Sequence, residues 1–270
     1  MYSIFKHLRT CAFVSLSCLS QQASAIYIDI NFSGTLSDSQ KALFTKAEQF
    51  WETTLTGYQP SVNANALSNI VINAEGTAID NVGGTLGSAG PTYIWTTGGY
   101  TLTAEGNMQF DTADLSNLES NDSLESVILH EMAHVLGLGT LWQLNDVYIA
   151  GSGQYTGANA LSLWQTEFGQ TNATYIPIEL GGGPGTAGGH WNEVNNGVAL
   201  TGITDTNNND LTYELMTGWL NSPTFTSNMT IASFADIGYE VSYSEVPIPA
   251  AAYLFLSALT GLGYIKSKQH

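Results

Sequence analysis

The chain is short of positive charge. Six lysines and arginines stand against 23 aspartates and glutamates in 270 residues, for a formal net charge of −17. Charged residues make up only 11%, less than half the usual share of about 25%. Phosphate contacts need Lys and Arg, so this balance excludes nucleic acid as a principal partner. It also disfavours anionic membrane surfaces. Lys6, Arg9, Lys266 and Lys268 lie at the two ends, and only Lys41 and Lys46 lie between. Every acidic residue falls between Asp29 and Glu245, where two positive charges meet 23 negative ones, or −21. Cysteine is nearly absent, with Cys11 and Cys18 alone, and histidine is scarce, with His7, His130, His134, His190 and His270. Aromatic residues are not scarce. At 11%, beside 28 glycines, they exclude an acidic disordered tail and predict an ordered core with long loops.

The ends read as addresses. Lys6, His7 and Arg9 form a positive segment, Cys11 to Leu19 an apolar one, and Ala23-Ser24-Ala25 a small-x-small cleavage site, the three parts of an export signal. Cleavage by signal peptidase after Ala25 removes both cysteines, so the mature chain owes nothing to disulfides. At the other end, Glu245-Val-Pro-Ile-Pro249 leads into the apolar run 250–265 and a basic tail. As a plain membrane anchor this run is marginal in length. The division predicted is therefore a signal over 1–25, one folded domain over 26–244, and a sorting or anchor segment over 245–270. Contact with the membrane is confined to that last segment, and the folded part faces away from the cytoplasm.

Within the folded part, Ile26, Ile28, Ile30 and Phe32 alternate with polar residues and predict a strand. Ser37 and Gln40 form a capping box, after which Leu43, Phe44, Ala47, Phe50, Trp51 and Leu55 recur at helical spacing. Strands are predicted at 69–73, 93–97 and 108–110, and helices at 159–168 and 229–237. The chain turns loop-rich after residue 140, notably at Gly181 to Gly189.

The chemistry lies in Asn121-Asp-Ser-Leu-Glu-Ser-Val-Ile-Leu-His-Glu-Met-Ala-His-Val-Leu-Gly137. Asp122 and Glu125 read as a capping box that opens a helix, and Gly137 as the residue that ends it. Leu124, Ile128, Met132 and Val135 share the core-facing arc. His130 and His134, four residues apart, share the opposite arc, where two imidazoles can bind one zinc. Glu131 reaches a water beside the metal without ligating it. This is the H-E-x-x-H pattern. A catalytic zinc takes three protein ligands and keeps one position open. With the ends removed, His190 is the only histidine left for the third place, and Glu167 and Asp146 are its rivals. Asp205-Thr-Asn-Asn-Asn-Asp210 reads either as a calcium-binding loop or as a solvated polar one, because Asp210 sits where an EF-hand needs Gly. Asp111 and Asp114 read as structural, and Trp191 as packing beside a ligand.

His130-Glu-Met-Ala-His134-Val-Leu-Gly137 resembles the opening of the metzincin motif, with Thr140 in place of the usual third His. The later Gly189-His190-Trp191 and Glu214-Leu-Met-Thr-Gly218 are similar to the leishmanolysin-like metallopeptidases. So are Ala89 to Thr92, Phe110 to Leu115, Tyr155 to Asn159 and Thr230 to Tyr239. The resemblance implies an α+β, zincin-like fold. Its N-terminal lobe would be a mixed twisted sheet with an active-site helix, and its C-terminal lobe mostly loops with a Met-turn and a final helix. It implies one zinc on His130, His134 and His190, with Met216 as a structural floor beneath it. The activity implied is a metalloendopeptidase that hydrolyses peptide bonds of proteins or peptides with a zinc-activated water and Glu131 as general base. The family's founding members carry a propeptide with a cysteine switch, for which this chain has no mature cysteine. Val246 to Phe255 with its basic tail resembles the PEP-CTERM sorting signal of Gram-negative bacteria, in a variant form with Ile248 where many members have Glu. That implies processing by an exosortase-type enzyme and a secreted or cell-surface protein. The alternative reading is a zinc-containing surface or matrix protein with weak or lost catalysis.

Overall fold

The structure, a computed structural model, describes residues 25–63 and 69–243. The predicted export signal over 1–25, apart from Ala25, and the predicted sorting or anchor segment over 245–270 lie outside the described residues. No described helix is long and apolar enough to cross a membrane.

The molecule is mixed α+β around a mixed sheet. Strand β1 (Ile28–Gly34) leads into helix α1 (Asp38–Thr54), then β2 (Leu55–Tyr58), β3 (Ile70–Thr77), β4 (Gly87–Thr97) and β5 (Tyr100–Asp111). The four-stranded sheet has the order β1-β3-β5-β4, with β1, β3 and β5 parallel and β4 antiparallel at one edge. The period-2 pattern sets its register. Ile28 pairs with Ile70, Ile30 with Ile72, and Ala74 with Met108, and Ile28, Ile70, Ile72, Ala74 and Met108 are buried. A one-residue slip would turn all of them to solvent. The other face is polar: Asn73 Nδ2 donates to Glu105 Oε1 at 3.1 Å, and Gln109 Nε2 to Glu75 Oε1 at 2.6 Å.

Helix α1 begins where its capping box predicts. Ser37 Oγ accepts from Gln40 N, and Gln40 Oε1 accepts from Ser37 N. Phe44, Ala47 and Trp51 are fully buried from this helix. Phe44 meets Phe110 edge-on at 5.2 Å, and Trp51 meets Phe234 at 5.0 Å. The predicted helical Leu55 instead starts β2, which pairs antiparallel with β8 (Tyr239–Val241).

The chain then forms α2 (Leu115–Ser120), which the sequence reading omits, and α3 (Leu124–Leu136). The Asp122–Glu125 capping box does not form. The short link from α2 forces Asp122 to φ 55°, so the extended backbone of a capping residue moves out of reach. Ser123 stands at the helix start without a side-chain cap, and Glu125 pairs with Lys46 Nζ at 3.1 Å.

The C-terminal half holds β6 (Gln154–Tyr155), α4 (Ala158–Thr166), β7 (Ile176–Pro177) and α5 (Asn228–Asp236), joined by long loops. Helices α4 and α5 cap each other. Asp236 accepts from Asn159 N at 2.8 Å and Ala160 N at 3.0 Å, and Glu167 accepts from Asn228 N at 3.0 Å and Met229 N at 2.8 Å. Each carboxylate thus satisfies orphan amides at the partner's positive end. Glu167, a rival for the third ligand position, is spent on this cap.

Candidate metal centre

Helix α3 carries His130, Glu131 and His134, and its far end is fixed with unusual completeness. The last four carbonyls of a helix lack intrahelical partners, and here each has one. Ala133 O accepts from Leu138 N at 3.0 Å, and His134 O from Thr140 Oγ1 at 2.6 Å. Val135 O accepts from Thr103 Oγ1 at 2.5 Å, and Leu136 O from Tyr239 Oη at 2.9 Å. Thr140 therefore clamps the turn that holds His134. Gly137 ends the helix in the left-handed conformation, φ 118°.

His190 arrives from the long loop. Its approach depends on Gly139, whose φ is 73° and where a Cβ would strike the backbone carbonyl of Gly189. Only a residue without a side chain lets the two segments touch. The Nε2 atoms then converge: 3.0 Å from His130 to His190, 3.0 Å from His134 to His190, and 3.1 Å from His130 to His134.

The opposite ring nitrogens set the tautomers. His130 Nδ1 lies 2.7 Å from Leu215 O, His134 Nδ1 2.9 Å from Leu138 O, and His190 Nδ1 2.8 Å from Thr186 O. A carbonyl only accepts, so each Nδ1 carries the proton and each Nε2 presents a bare lone pair. Three converging lone pairs repel unless a cation lies among them. Burial keeps the rings neutral, assisted at His130 and His190 by repulsion from the neighbouring histidines: His130 is pushed down to about 3, His134 below its usual value, and His190 well below it. His134 and His190 are buried and His130 partly so. The group can hold a metal ion. Metal–nitrogen bonds of about 2.0–2.1 Å, as zinc makes, suit three imidazoles in this arrangement.

Glu131 is 7% exposed and lines the same cleft, about 1170 Å³ in volume, as the three histidines. Burial raises its carboxyl to about 8. It packs so closely under the start of β4 that a Cβ at Gly87 would lie 2.9 Å from Glu131 Oε1. Residues 87–89 of edge strand β4 and residues of the 215–219 turn both line the cleft.

Met216 is fully buried in that turn. The turn gives His130 the Leu215 carbonyl, and Met216 O accepts from Trp191 N at 3.0 Å. Trp191 packs against Trp142 and Tyr155 at 5.0 and 5.3 Å and donates from Nε1 to Thr230 Oγ1. It is a packing residue, as the sequence suggests. Glu214, which carried no role in the sequence reading, accepts from Met216 N, Ser227 N, Ser227 Oγ and Thr230 Oγ1 and so ties the turn to α5. Glu193 is a second omission: buried, it accepts from Gly218 N at 3.3 Å, and burial pushes it up to about 7. Glu193 belongs to no recognisable motif, and Glu214 opens the Glu214–Gly218 segment, in which only Met216 carries an expected role.

Two other sequence candidates fall elsewhere. Asp146 lies after a short 3-10 turn at φ 58° and is not among the residues that meet at the histidines. The Asp205–Asp210 loop forms a polar turn, and among the described residues its carboxylates join no group of three that could hold a metal ion. Asp205 accepts from Asn207 N, Asn209 N and Asn209 Nδ2, and Asp210 from Thr201 N, Gly202 N and Thr212 N.

The three histidines of the metal-free chain are expected to withdraw stability as pH falls below about 6.5. They stay neutral in the fold while the unfolded chain takes up protons, so their share favours the unfolded state. Each contributes about 1.4 kcal/mol per pH unit between its two values. Buried carboxyls raised in the fold, Glu131 to about 8, Glu193 to about 7, and Glu167 and Glu214 above their usual value, pull the other way. The histidine share is therefore read as a difference. Between about pH 6.5 and pH 5, chelator-treated parent chain should lose more stability to urea than chelator-treated His190→Ala, and an equal change in the two would contradict it.

Neither a scan against protein-family models nor a search of curated proteins finds a match for this chain.

Proposed function

We propose that the chain is a zinc metalloendopeptidase of the leishmanolysin-like, metzincin type, exported and carrying a sorting signal of the PEP-CTERM type. The observation that carries this reading is the convergence of three Nε2 lone pairs at 3.0–3.1 Å beside a carboxylate that is not one of them. A structural zinc site closes its fourth position with another protein ligand. Among the described residues none joins the three histidines, and a long cleft opens over them.

His130, His134 and His190 would hold the ion, which when bound supplies Lewis acidity and lowers the pKa of water toward 7. The chain's own residues do the rest. Leu215, Leu138 and Thr186 carbonyls hold the rings in the ligating tautomer. Glu131 accepts the proton of the attacking water and passes it to the leaving amine. Strand β4 offers an unpaired edge along the cleft, suited to an extended peptide.

The test is metal content per chain together with casein hydrolysis with and without excess chelator. Activity that survives removal of the metal would sink the proposal. One zinc per chain without hydrolysis would favour the matrix-protein reading.

A further inference from the structure

We propose that Asp80, Asp111 and Asp114 form a calcium site that fastens one rim of the cleft. These three residues each bring a carboxylate oxygen within 4.8 Å of the others. Asp111 and Asp114 are 0% and 2% exposed. Of the Asp114 carboxylate, Oδ1 accepts from Gly83 N at 2.8 Å, whereas the buried Oδ2 has no hydrogen-bond partner. A buried, unpartnered carboxylate oxygen beside two further carboxylates is costly unless a cation meets it.

Among the described residues no side chain supplies that cation. The described residues include two basic ones, Lys41 and Lys46, and these pair with Asp38 and Glu125. The backbone meanwhile favours ionised carboxylates. Asp111 accepts from Ala113 N, Asp80 N and Ile79 N, which holds its carboxyl below the usual range. The donor set is oxygen only, with no imidazole or thiolate, which selects a hard ion. Calcium tolerates irregular geometry and six to eight oxygens. A cluster of three carboxylates without octahedral regularity suits it better than the smaller, strictly octahedral magnesium.

The site joins two places that matter to the cleft. Asp111 ends β5 and Asp114 precedes α2, while Asp80 begins the loop that runs through Gly84 and Leu86 into β4 and lines the cleft. Calcium would therefore hold the loop that brings the edge strand beside Glu131.

The experiment uses the full chain, chelator-treated and returned to one equivalent of zinc, with calcium chloride as the titrant. Calorimetric titration is expected to show one calcium per chain. At calcium about 100-fold above the dissociation constant, the thermal midpoint is expected to rise by about 5–10 °C. Asp114→Asn should abolish both responses, while His190→Ala should retain calcium binding. If Asp114→Asn does not fold, Asp80→Asn, at an exposed position, should weaken calcium binding at least 10-fold. No midpoint shift in the parent chain, an equal shift with magnesium, or an unchanged shift in the aspartate variants would overturn the proposal.

Discussion

Glu131→Gln is expected to lower the turnover of peptide hydrolysis by about 10²–10⁴-fold, the usual contribution of a positioned general base, and to leave zinc content unchanged. Gln keeps the shape and one acceptor oxygen but cannot take a proton. The site makes this substitution unusually clean. Glu131 is not among the converging nitrogens, and it fits against Gly87, where a larger change would force β4 to move. A second measurement separates a lost base from a disturbed fold. Burial holds Glu131 up at about 8 against an ordinary 4.5, so in the metal-free chain the folded state keeps a proton that the unfolded chain gives up. That contribution to stability is present at low pH and lost as pH rises from about 4.5 to about 8. Metal-free Glu131→Gln should therefore gain on the parent chain over that window, by a few kcal/mol at pH 8 at about 1.4 kcal/mol per unit. Full activity in the variant would remove the base role.

How far the sequence anticipates this site depends on the length of the interaction involved. The spacing of His130 and His134 is a property of one helix, and the Ser37–Gln40 box and the alternation in β1 are just as local; each lies where the residues predict. His190 is the exception that succeeds, because once the two ends are set aside it is the only remaining histidine. What fails is set by neighbours distant in the chain. The Asp122 cap is lost to an adjoining helix that the pattern does not announce. Strands β4 and β5 run 11 and 12 residues, well beyond the short segments predicted, because the outer strand is an exposed edge with Gly87, Gly90 and Pro91 and little alternation. A proline is tolerated there and not in a central strand.

The same distinction explains the carboxylates. Glu167 and Asp236 stand at the C-terminal ends of α4 and α5, where nothing in the neighbouring sequence announces a capping role, yet they cap each other's helices across 61 and 76–77 residues. Glu214 holds the Met216 turn through donors on α5, 13 and 16 residues further on. The histidine tautomers rest on three backbone carbonyls, which leave no trace in side-chain sequence at all. Which histidines meet is thus largely written in the sequence, whereas the orientation of their rings is written in the fold.

His190→Ala is expected to have the larger effect on the metal, and Gly139→Ala an intermediate one, and the two together test the roles of ligand and of positioning. Removing His190 leaves two imidazoles on one helix, too few to hold a catalytic ion tightly. Zinc affinity should fall by more than 100-fold, and hydrolysis should vanish at stoichiometric zinc. Gly139 touches no metal. Its positive φ and its contact with the Gly189 backbone mean that an added methyl must push the His190 segment away from α3. A displaced but intact ligand resembles the loss of an orienting partner, which typically costs about 10–100-fold in affinity. Excess zinc should therefore restore hydrolysis in Gly139→Ala and not in His190→Ala. Zinc content measured after gel filtration, and casein hydrolysis across a zinc titration, provide the readings. Parent-like zinc affinity in His190→Ala would show that the third nitrogen is not a ligand, and the catalytic proposal would fall with it.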